Sequence, residues 1–423
     1  VAVGGAIAAL SRRTGRGDGS VIGGRAILTL DHRALERLAV GHPTCLVSGT
    51  NGKTTTTSLL RTALATLGPV ATNLLGANLP TGIATALAGG PPGANAAIEV
   101  DEAWLGRVVD ATTPEVVALL NLSRDQLDRN NEVRTLASAW RAVFAARPAT
   151  TVVANADDPL VVWGAGRAGD IRWVGAGQPW TADASGCPSC GGRIVFDAGT
   201  HEGTATLADA PTAGDVRGGW ACSACDLRRP ALDVWLEGDE LVARDGLRTP
   251  LTLALPGRAN RANAAMALTA ARCLGADPVA AAAAMAGTDE VVGRYRTVDV
   301  DGIPARMLLA KNPAGWLEVL DVLRPAPVPV AVAINARIAD GRDPSWLWDV
   351  PFERLAGRAV IATGERGRDL AVRLHYAEAD HHFVADPVDA VRAATRAARD
   401  CGADAVDVVA NYTAFQTLRA RLP

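Results

Sequence analysis

Seven consecutive residues, Gly49-Thr50-Asn51-Gly52-Lys53-Thr54-Thr55, combine two glycines, a lysine and three hydroxyl side chains. A glycine-rich turn at a helix start gathers backbone N–H groups at one point, and the aligned peptide dipoles there favour negative charge. Lys53 adds a cation for outer phosphates, and the Thr54 hydroxyl can ligate magnesium. The glycines lie closer together than in the common GxxxxGK[ST] pattern. What separates the run from a Gly/Thr-rich surface turn is its setting. Cys45-Leu46-Val47 precedes it as a short apolar strand, and Leu59, Leu60, Ala63, Leu64 and Leu67 follow on one face of a helix. Strand, loop and helix in that order predict an ATP site.

Further motifs sit where such a site needs them. Ala96-Ala97-Ile98-Glu99-Val100-Asp101-Glu102 predicts an apolar strand running into three acids. In an open parallel sheet, acids at that end lie beside the ligand crevice. Glu99 is the expected magnesium ligand or water-holding acid. Val116 to Leu120 predicts another buried strand, followed by the polar run Asn121 to Arg129 at a crevice lip. Thr151-Val152-Val153-Ala154 leads into the turn Asn155-Ala156-Asp157-Asp158-Pro159. Leu251 to Leu255 reads as a strand, and Pro256 to Asn263 opens a long alanine-rich helix. Asn260 and Asn263, three apart, share its face; they can frame the nucleotide base or cap the helix, and Asn260 is the expected ATP contact.

Cys187-Pro-Ser-Cys190 and Cys222-Ser-Ala-Cys225 have the spacing of two thiolate-bearing turns that meet one ion. Four sulfurs make a closed, tetrahedral structural zinc centre. Two such pairs close together argue against a redox CxxC, and the odd total of seven cysteines argues against a disulfide framework.

The last stretch, from about Val291, predicts a separate α/β unit with strands at 328–335, 359–363 and 405–410. Its loops hold Lys311-Asn312-Pro313-Ala314-Gly315, then Asp340-Gly341-Arg342-Asp343 followed by Trp346 and Trp348, then Asn411-Tyr412-Thr413. The aromatic pair predicts a partly exposed site or partner surface. The chain's 423 residues suffice for two or three domains, and its net charge of −3 gives no basic face for nucleic acid. No run approaches the roughly 18 to 20 apolar residues of a membrane span. Strands alternating with helices predict an α/β fold with parallel sheets.

These residues closely resemble the MurT family, the synthetase subunits of lipid II isoglutaminyl synthase. Gly49 to Thr55 matches that family's phosphate loop and Ile98 to Glu102 its acidic strand end. Ser123 to Arg129 and Asn155 to Pro159 match central motifs of Mur ligases. The four-cysteine insertion, Ala310 to Gly315 and Asp340 to Asp343 are specific to MurT. The resemblance implies an N-terminal segment (1–40), a Mur ligase-type central ATP-binding domain (41–290) with a zinc ribbon inserted at about 184–230, and a Rossmann-like C-terminal domain (291–423). It implies ATP, magnesium and structural zinc as cofactors, with Lys53 stabilising the transferred phosphoryl group. The implied reaction is amidation of the α-carboxylate of D-glutamate in the lipid II stem peptide, at the cytoplasmic face of the membrane. Ammonia would come from a GatD-like glutaminase, whose triad Asp343 would complete. Only residues 1–48 precede the loop, too few for a domain that grips a uridine-diphosphate substrate, as suits a lipid-borne one. The rival readings are another Mur or folylpolyglutamate-type amino-acid ligase, and a non-catalytic zinc-bearing docking subunit.

Overall fold

The computed structural model describes residues 21–73, 77–124, 133–178, 180–197, 219–288 and 295–423. Two compact units emerge: residues 1–123 with 131–289, and residues 124–130 with 290–423. The boundary expected at 290/291 and the motif residues Asp125 to Arg129 lie outside the described residues.

The first unit is organised by β1 (Thr44–Ser48), buried at every position. A strand buried on both faces belongs inside a parallel sheet with helices on either side. It pairs in parallel with β3 (Asn95–Glu99) and β4 (Val116–Leu119). Beyond β3 lies β2 (Val70–Thr72); beyond β4 lie β5 (Thr151–Asn155) and β6 (Asp170–Gly175). The short pair β7 (Ile194–Phe196) and β8 (Trp220–Cys222) forms a separate antiparallel ribbon. The main sheet then continues through β9 (Val234–Glu237), β10 (Glu240–Ala243) and β11 (Arg248–Pro250), the last two antiparallel to their neighbours. Strand order reverses at β1, the place where open α/β sheets bind ligands.

After β1 comes α1 (Lys53–Leu64), with Leu59, Leu60, Ala63 and Leu64 fully buried. It begins before the first of the apolar positions because its first turns carry threonines, and it ends at Leu64, so Leu67, expected on the same face, lies beyond it and is exposed. Packed against it is α2 (Arg258–Cys273), whose alanines allow close helix approach. Leu251 to Leu255 is irregular rather than a strand. Pro250 ends β11, and Leu251 N–H makes one more bond across to Asp239 O at 2.8 Å before the chain turns irregular, with Leu251 and Leu255 buried. Apolar spacing there reported burial and not a strand.

The second unit holds a six-stranded sheet: β12 (Tyr295–Val300), β13 (Ile303–Leu309), β17 (Val406–Ala410), β14 (Val330–Ala333), β15 (Val360–Thr363) and β16 (His381–Phe383), in that spatial order. All pairs are parallel except β12 with β13. Helices α3 (Pro313–Val322), α4 (Gly367–Tyr376) and α5 (Pro387–Cys401) connect strands of this sheet, and α6 (Tyr412–Arg421) follows β17. Asn312 and Asp386 cap α3 and α5 by accepting backbone N–H bonds, each followed by proline at the first helical position. Asp407, fully buried, pairs with Arg306 at 2.8 Å and Arg324 at 2.5 Å. The two tryptophans of the Asp340 to Asp349 stretch part ways: Trp346 joins the core while Trp348 is 55% exposed against Tyr376.

Candidate active site

The phosphate loop is held from the side by the segment after β4. Asn51 N–H donates to Asn121 Oδ1 at 2.9 Å, and Asn121 Nδ2 returns a bond to Asn51 O at 3.0 Å. Thr50 Oγ1 donates to Ser123 O (3.1 Å) and accepts from Ser123 N–H (3.0 Å). Gly52 has φ +85°, and a Cβ there would fall 2.4 Å from Asn263 Oδ1, so both conformation and space demand glycine. Thus Asn263 is the helix asparagine set against the loop, while Asn260 Nδ2 donates back to Pro256 O at 2.7 Å.

Lys53 is 5% exposed. Its Nζ donates to Gly49 O (2.6 Å), Thr50 O (3.3 Å) and Glu102 Oε2 (3.1 Å). Thr54 Oγ1 donates to Glu99 Oε2 at 2.9 Å, and Asn78 Nδ2 donates to Glu99 Oε1 at 3.2 Å. Asn73 fixes the Glu99 backbone, donating to its carbonyl and accepting from its N–H, each at 2.8 Å. The three acids therefore part. β3 ends at Glu99, which meets Thr54; Asp101 Oδ1 accepts from Ala103 N–H in the following turn; Glu102 meets Lys53. A hydroxyl and a carboxylate side by side are hard oxygen donors suited to magnesium, so Thr54 and Glu99 could hold that ion. Sequence reasoning missed Asn73 and Asn78, whose only signal was their place just past a strand end.

A chain of bonds joins the loop to the cysteine ribbon. Asp158 is fully buried and accepts from Leu122 N–H, Leu160 N–H, Val161 N–H and Gln178 Nε2. Burial pushes its carboxyl up to about 6, against the pull of those N–H donors. Asp157 is raised as well, by burial, with Arg229 opposing at 2.5 Å. Trp220 Nε1 donates to Ala156 O at 3.0 Å. The turn 155–158 is thus gripped by the ribbon on one side and by the segment after β4 on the other.

Within the ribbon the Sγ atoms of Cys187, Cys190, Cys222 and Cys225 all lie within 4.8 Å of one another. Two pairs stand at 3.7 and 3.5 Å. Zinc with four thiolates at about 2.3 Å has tetrahedral edges of about 3.8 Å, so the donor set fits. Gly192 and Ala224 N–H groups donate to Cys190 and Cys222 Sγ at 3.4 and 3.3 Å. The Ala224 bond, against burial, brings the Cys222 thiol down to about 7. A Cβ on Gly192 would meet both of those sulfurs at 3.2 Å and Ala224 Cβ at 2.7 Å.

In the second unit Asp343 is exposed, its Oδ1 accepting from Ser345 N–H at 2.8 Å. Asp340, three residues earlier, is buried and accepts from Thr413 N–H at 2.8 Å, from Thr413 Oγ1, and from Arg337 N–H at 3.2 Å. Asn335 and Asn411, at the ends of β14 and β17, bond to each other through backbone and side chain. The loop that presents Asp343 is therefore moored to the carboxyl edge of the sheet.

A glycine-rich loop at the switch point of a parallel sheet, beside a hydroxyl–carboxylate pair, has the form of a nucleotide site, and the matches to known proteins make the chain an ATP-dependent ligase of the Mur type. Residues 47–174 match the Mur ligase middle domain and residues 309–415 the MurT ligase C-terminal domain. The subunit MurT of the glutamine-hydrolysing lipid II isoglutaminyl synthase of Streptococcus pneumoniae is 31% identical, over 85% of this chain and 82% of that one. Its Staphylococcus aureus counterpart is 28% identical over 88% and 87%. Among solved structures, a pseudomurein peptide ligase type C from Methanothermus fervidus superposes with TM-score 0.65 at 17% identity, covering 90% of this chain and 78% of its own. MurF from Acinetobacter baumannii gives 0.63 at 15%, covering 96% and 80%. The chain belongs to the MurT family. Among the described residues no helix is long and apolar enough to cross a membrane.

Proposed function

We propose that this chain is the synthetase subunit of a lipid II isoglutaminyl synthase, acting at the cytoplasmic face of the membrane beside a GatD-like glutaminase. The substrate is the α-carboxylate of D-glutamate in the stem peptide. One carboxylate oxygen attacks the γ-phosphorus of ATP, ADP leaves, and an acyl phosphate forms. Ammonia then adds to the acyl carbon; phosphate departs with the C–O electron pair, a proton is lost, and D-isoglutamine remains.

Magnesium, when bound, would supply positive charge that offsets the phosphates. Thr54 and Glu99 would hold that ion. The loop N–H groups, kept in place by Asn121 and Ser123, orient the phosphates, and Lys53 stabilises charge on the transferred group. The cysteine ribbon, loaded with zinc, would brace the turn 155–158. Asp343, exposed where Asp340 is buried, is free of its own fold's core and suited to orient a histidine on the partner.

The observation that carries this reading is the Glu99 carboxylate 2.9 Å from the Thr54 hydroxyl, at the loop that holds Lys53. The test uses the chain with its glutaminase partner, ATP and a lipid II analogue. Phosphate release should accompany formation of one amide, with Lys53→Ala abolishing both whether glutamine or ammonium is supplied. Asp343→Asn should abolish only the glutamine-supported reaction. Amidation that survives Lys53→Ala would make the chain a scaffold, and dependence on a free amino acid would make it a different ligase.

A further inference from the structure

We propose that Trp220 and Arg229 are positioning residues through which the metal centre of the cysteine ribbon sets the affinity of the phosphate loop for nucleotide. The inference rests on the ATP-site and zinc readings above and adds the link between them.

Cys222-Ser-Ala-Cys225 is the tip of a hairpin. Cys222 N–H donates to Leu227 O at 2.8 Å, Ala221 bridges to Arg228, and Arg229 N–H donates to Trp220 O at 2.9 Å. Trp220 and Arg229 therefore stand opposite each other on its two arms, one shortly before the first sulfur and the other shortly after the second. Both side chains reach the same turn. Trp220 Nε1 donates to Ala156 O at 3.0 Å. Arg229 stands 2.5 Å from the Asp157 carboxylate, the two side chains being 13% and 7% exposed. Trp220 also shares a small core with Val162, on the helix that Asp158 caps.

Among the described residues that core holds Cys187, Ile194, Trp220 and Cys222 besides Val162, and both cysteines belong to the metal's donor set. So small a core does not hold a fold by itself, and the binding free energy of a structural metal supplies the difference. Without an ion the tip loses what draws its two sulfurs onto those of Cys187 and Cys190, and both arms loosen together. Asp157 is buried, so drawing Arg229 away leaves its carboxylate short of a counter-charge, which the turn relieves by moving toward water. Asp158 is the next residue, and its carboxylate holds Leu122 N–H, between Asn121 and Ser123. Those two clasp Asn51 and Thr50 of the phosphate loop. Metal-closed and metal-open ribbon are thus two states of one element that bias the loop differently, which is what coupling between distant sites requires. Such coupling is reciprocal: nucleotide tightens zinc by the factor with which zinc tightens nucleotide.

The experiment is isothermal titration of the full-length chain with ADP in excess magnesium, zinc-loaded and after treatment with a chelator selective for zinc over magnesium. Zinc removal should weaken ADP binding by about fivefold or more, the lower end of typical coupling between sites. Arg229→Met keeps a long apolar stem and removes the charge. Loaded with zinc, it should already bind ADP several-fold more weakly than wild type, and chelation should change that little. Arg229→Lys should recover part of the loss. Trp220→Phe, which deletes the donor to Ala156 O, should act in the same direction as Arg229→Met. Competition for zinc with a chromogenic chelator gives the reciprocal readout: saturating ADP should raise zinc affinity in wild type by the matching factor, and hardly at all in Arg229→Met. A residue that merely supports the ribbon's folding would lower zinc affinity and leave the ratio of loaded to stripped ADP affinity as in wild type. That unaltered ratio in Arg229→Met, or equal ADP affinity of wild type with and without zinc, overturns the proposal. Should the stripped chain unfold, wild-type ADP affinity in both zinc-loaded Arg229→Met and Trp220→Phe does the same. A loaded wild-type chain that binds no ADP overturns instead the ATP-site reading, and a chain that takes up no zinc the reading of the ribbon.

Discussion

Replacing Asp158 tests whether the turn 155–158 supports the phosphate loop. Its carboxylate caps the helix Pro159–Ala165 through Leu160 and Val161 N–H, and its other oxygen accepts from Leu122 N–H at 2.8 Å. Leu122 lies between Asn121 and Ser123, the two residues that clasp the loop. Asp158→Ala loses the cap, about 1 kcal/mol, and strands a buried N–H, about 1–3 kcal/mol. Unfolding stability at neutral pH should therefore fall by about 2–4 kcal/mol, and ADP affinity should weaken as Asn121 and Ser123 lose their anchor. Asp158→Asn can keep the cap through Oδ1, but its amide nitrogen cannot accept from Leu122 N–H, so it removes the charge together with that bond. In the native protein the carboxyl titrates near 6 against an ordinary 3.8, so the folded state holds the proton more tightly. The corresponding stability is fully present below about pH 4 and is lost as pH rises through 6. Between pH 7.5 and 5 wild type should gain about 1.4 kcal/mol relative to Asp158→Asn, from the linkage relation at these values. Urea melts at the two pH values and ADP titrations of the folded variants supply the data. A difference that does not change with pH, or an alanine variant that loses under about 1 kcal/mol, would refute the reasoning.

Two further perturbations probe the ribbon and the Asp343 loop. Gly192→Ala would push a methyl group toward Cys190 and Cys222, displacing the N–H that Gly192 donates to Cys190. Zinc affinity should drop by about tenfold or more, read by competition with a chromogenic chelator. Thr413→Val keeps side-chain shape while deleting the hydroxyl that bonds to Asp340. Glutamine-supported amidation in the assembled complex should fall several-fold, up to roughly a hundredfold for a displacement near 1 Å. Ammonium-supported amidation should stay at the wild-type rate; a matched loss in both would place Thr413 in general folding.

Local chemistry was legible in the sequence where a motif carries its own geometry. Gly52, Lys53 and Thr54 form a loop within one turn of chain, and the two cysteine pairs announce their sulfurs by spacing alone. The parallel sheet followed from alternating apolar runs. The partners of those motifs were not legible, because they depend on which strands become neighbours. Asn51 and Asn121 meet only because β4 pairs with β1, with Leu119 opposite Ser48. The grip of Arg229 and Trp220 on the turn 155–158 needs the ribbon to fold over β5 before either residue has a meaning. Leu251 to Leu255 shows the converse error: apolar spacing is shared by strands and by buried irregular chain.

The acids show how far composition can reach. Glu99, Asp101 and Glu102 are nearly one residue type, yet strand termination at Glu99 sends each to a different partner. Asp340 and Asp343 repeat the lesson in the second unit. Both lie in Asp-Gly-Arg-Asp, but one is buried against the start of α6 and the other is presented to solvent. The buried carboxylate needs donors already organised by its own fold, here Thr413 and Arg337, and is committed to them. The exposed one is oriented through one oxygen by the Ser345 N–H. A carboxylate that is to act on another chain must be spared from its own core yet kept from wandering. A buried aspartate mooring the loop three residues before an exposed one meets both conditions, which is why the pair is a stronger argument for Asp343 than the motif itself.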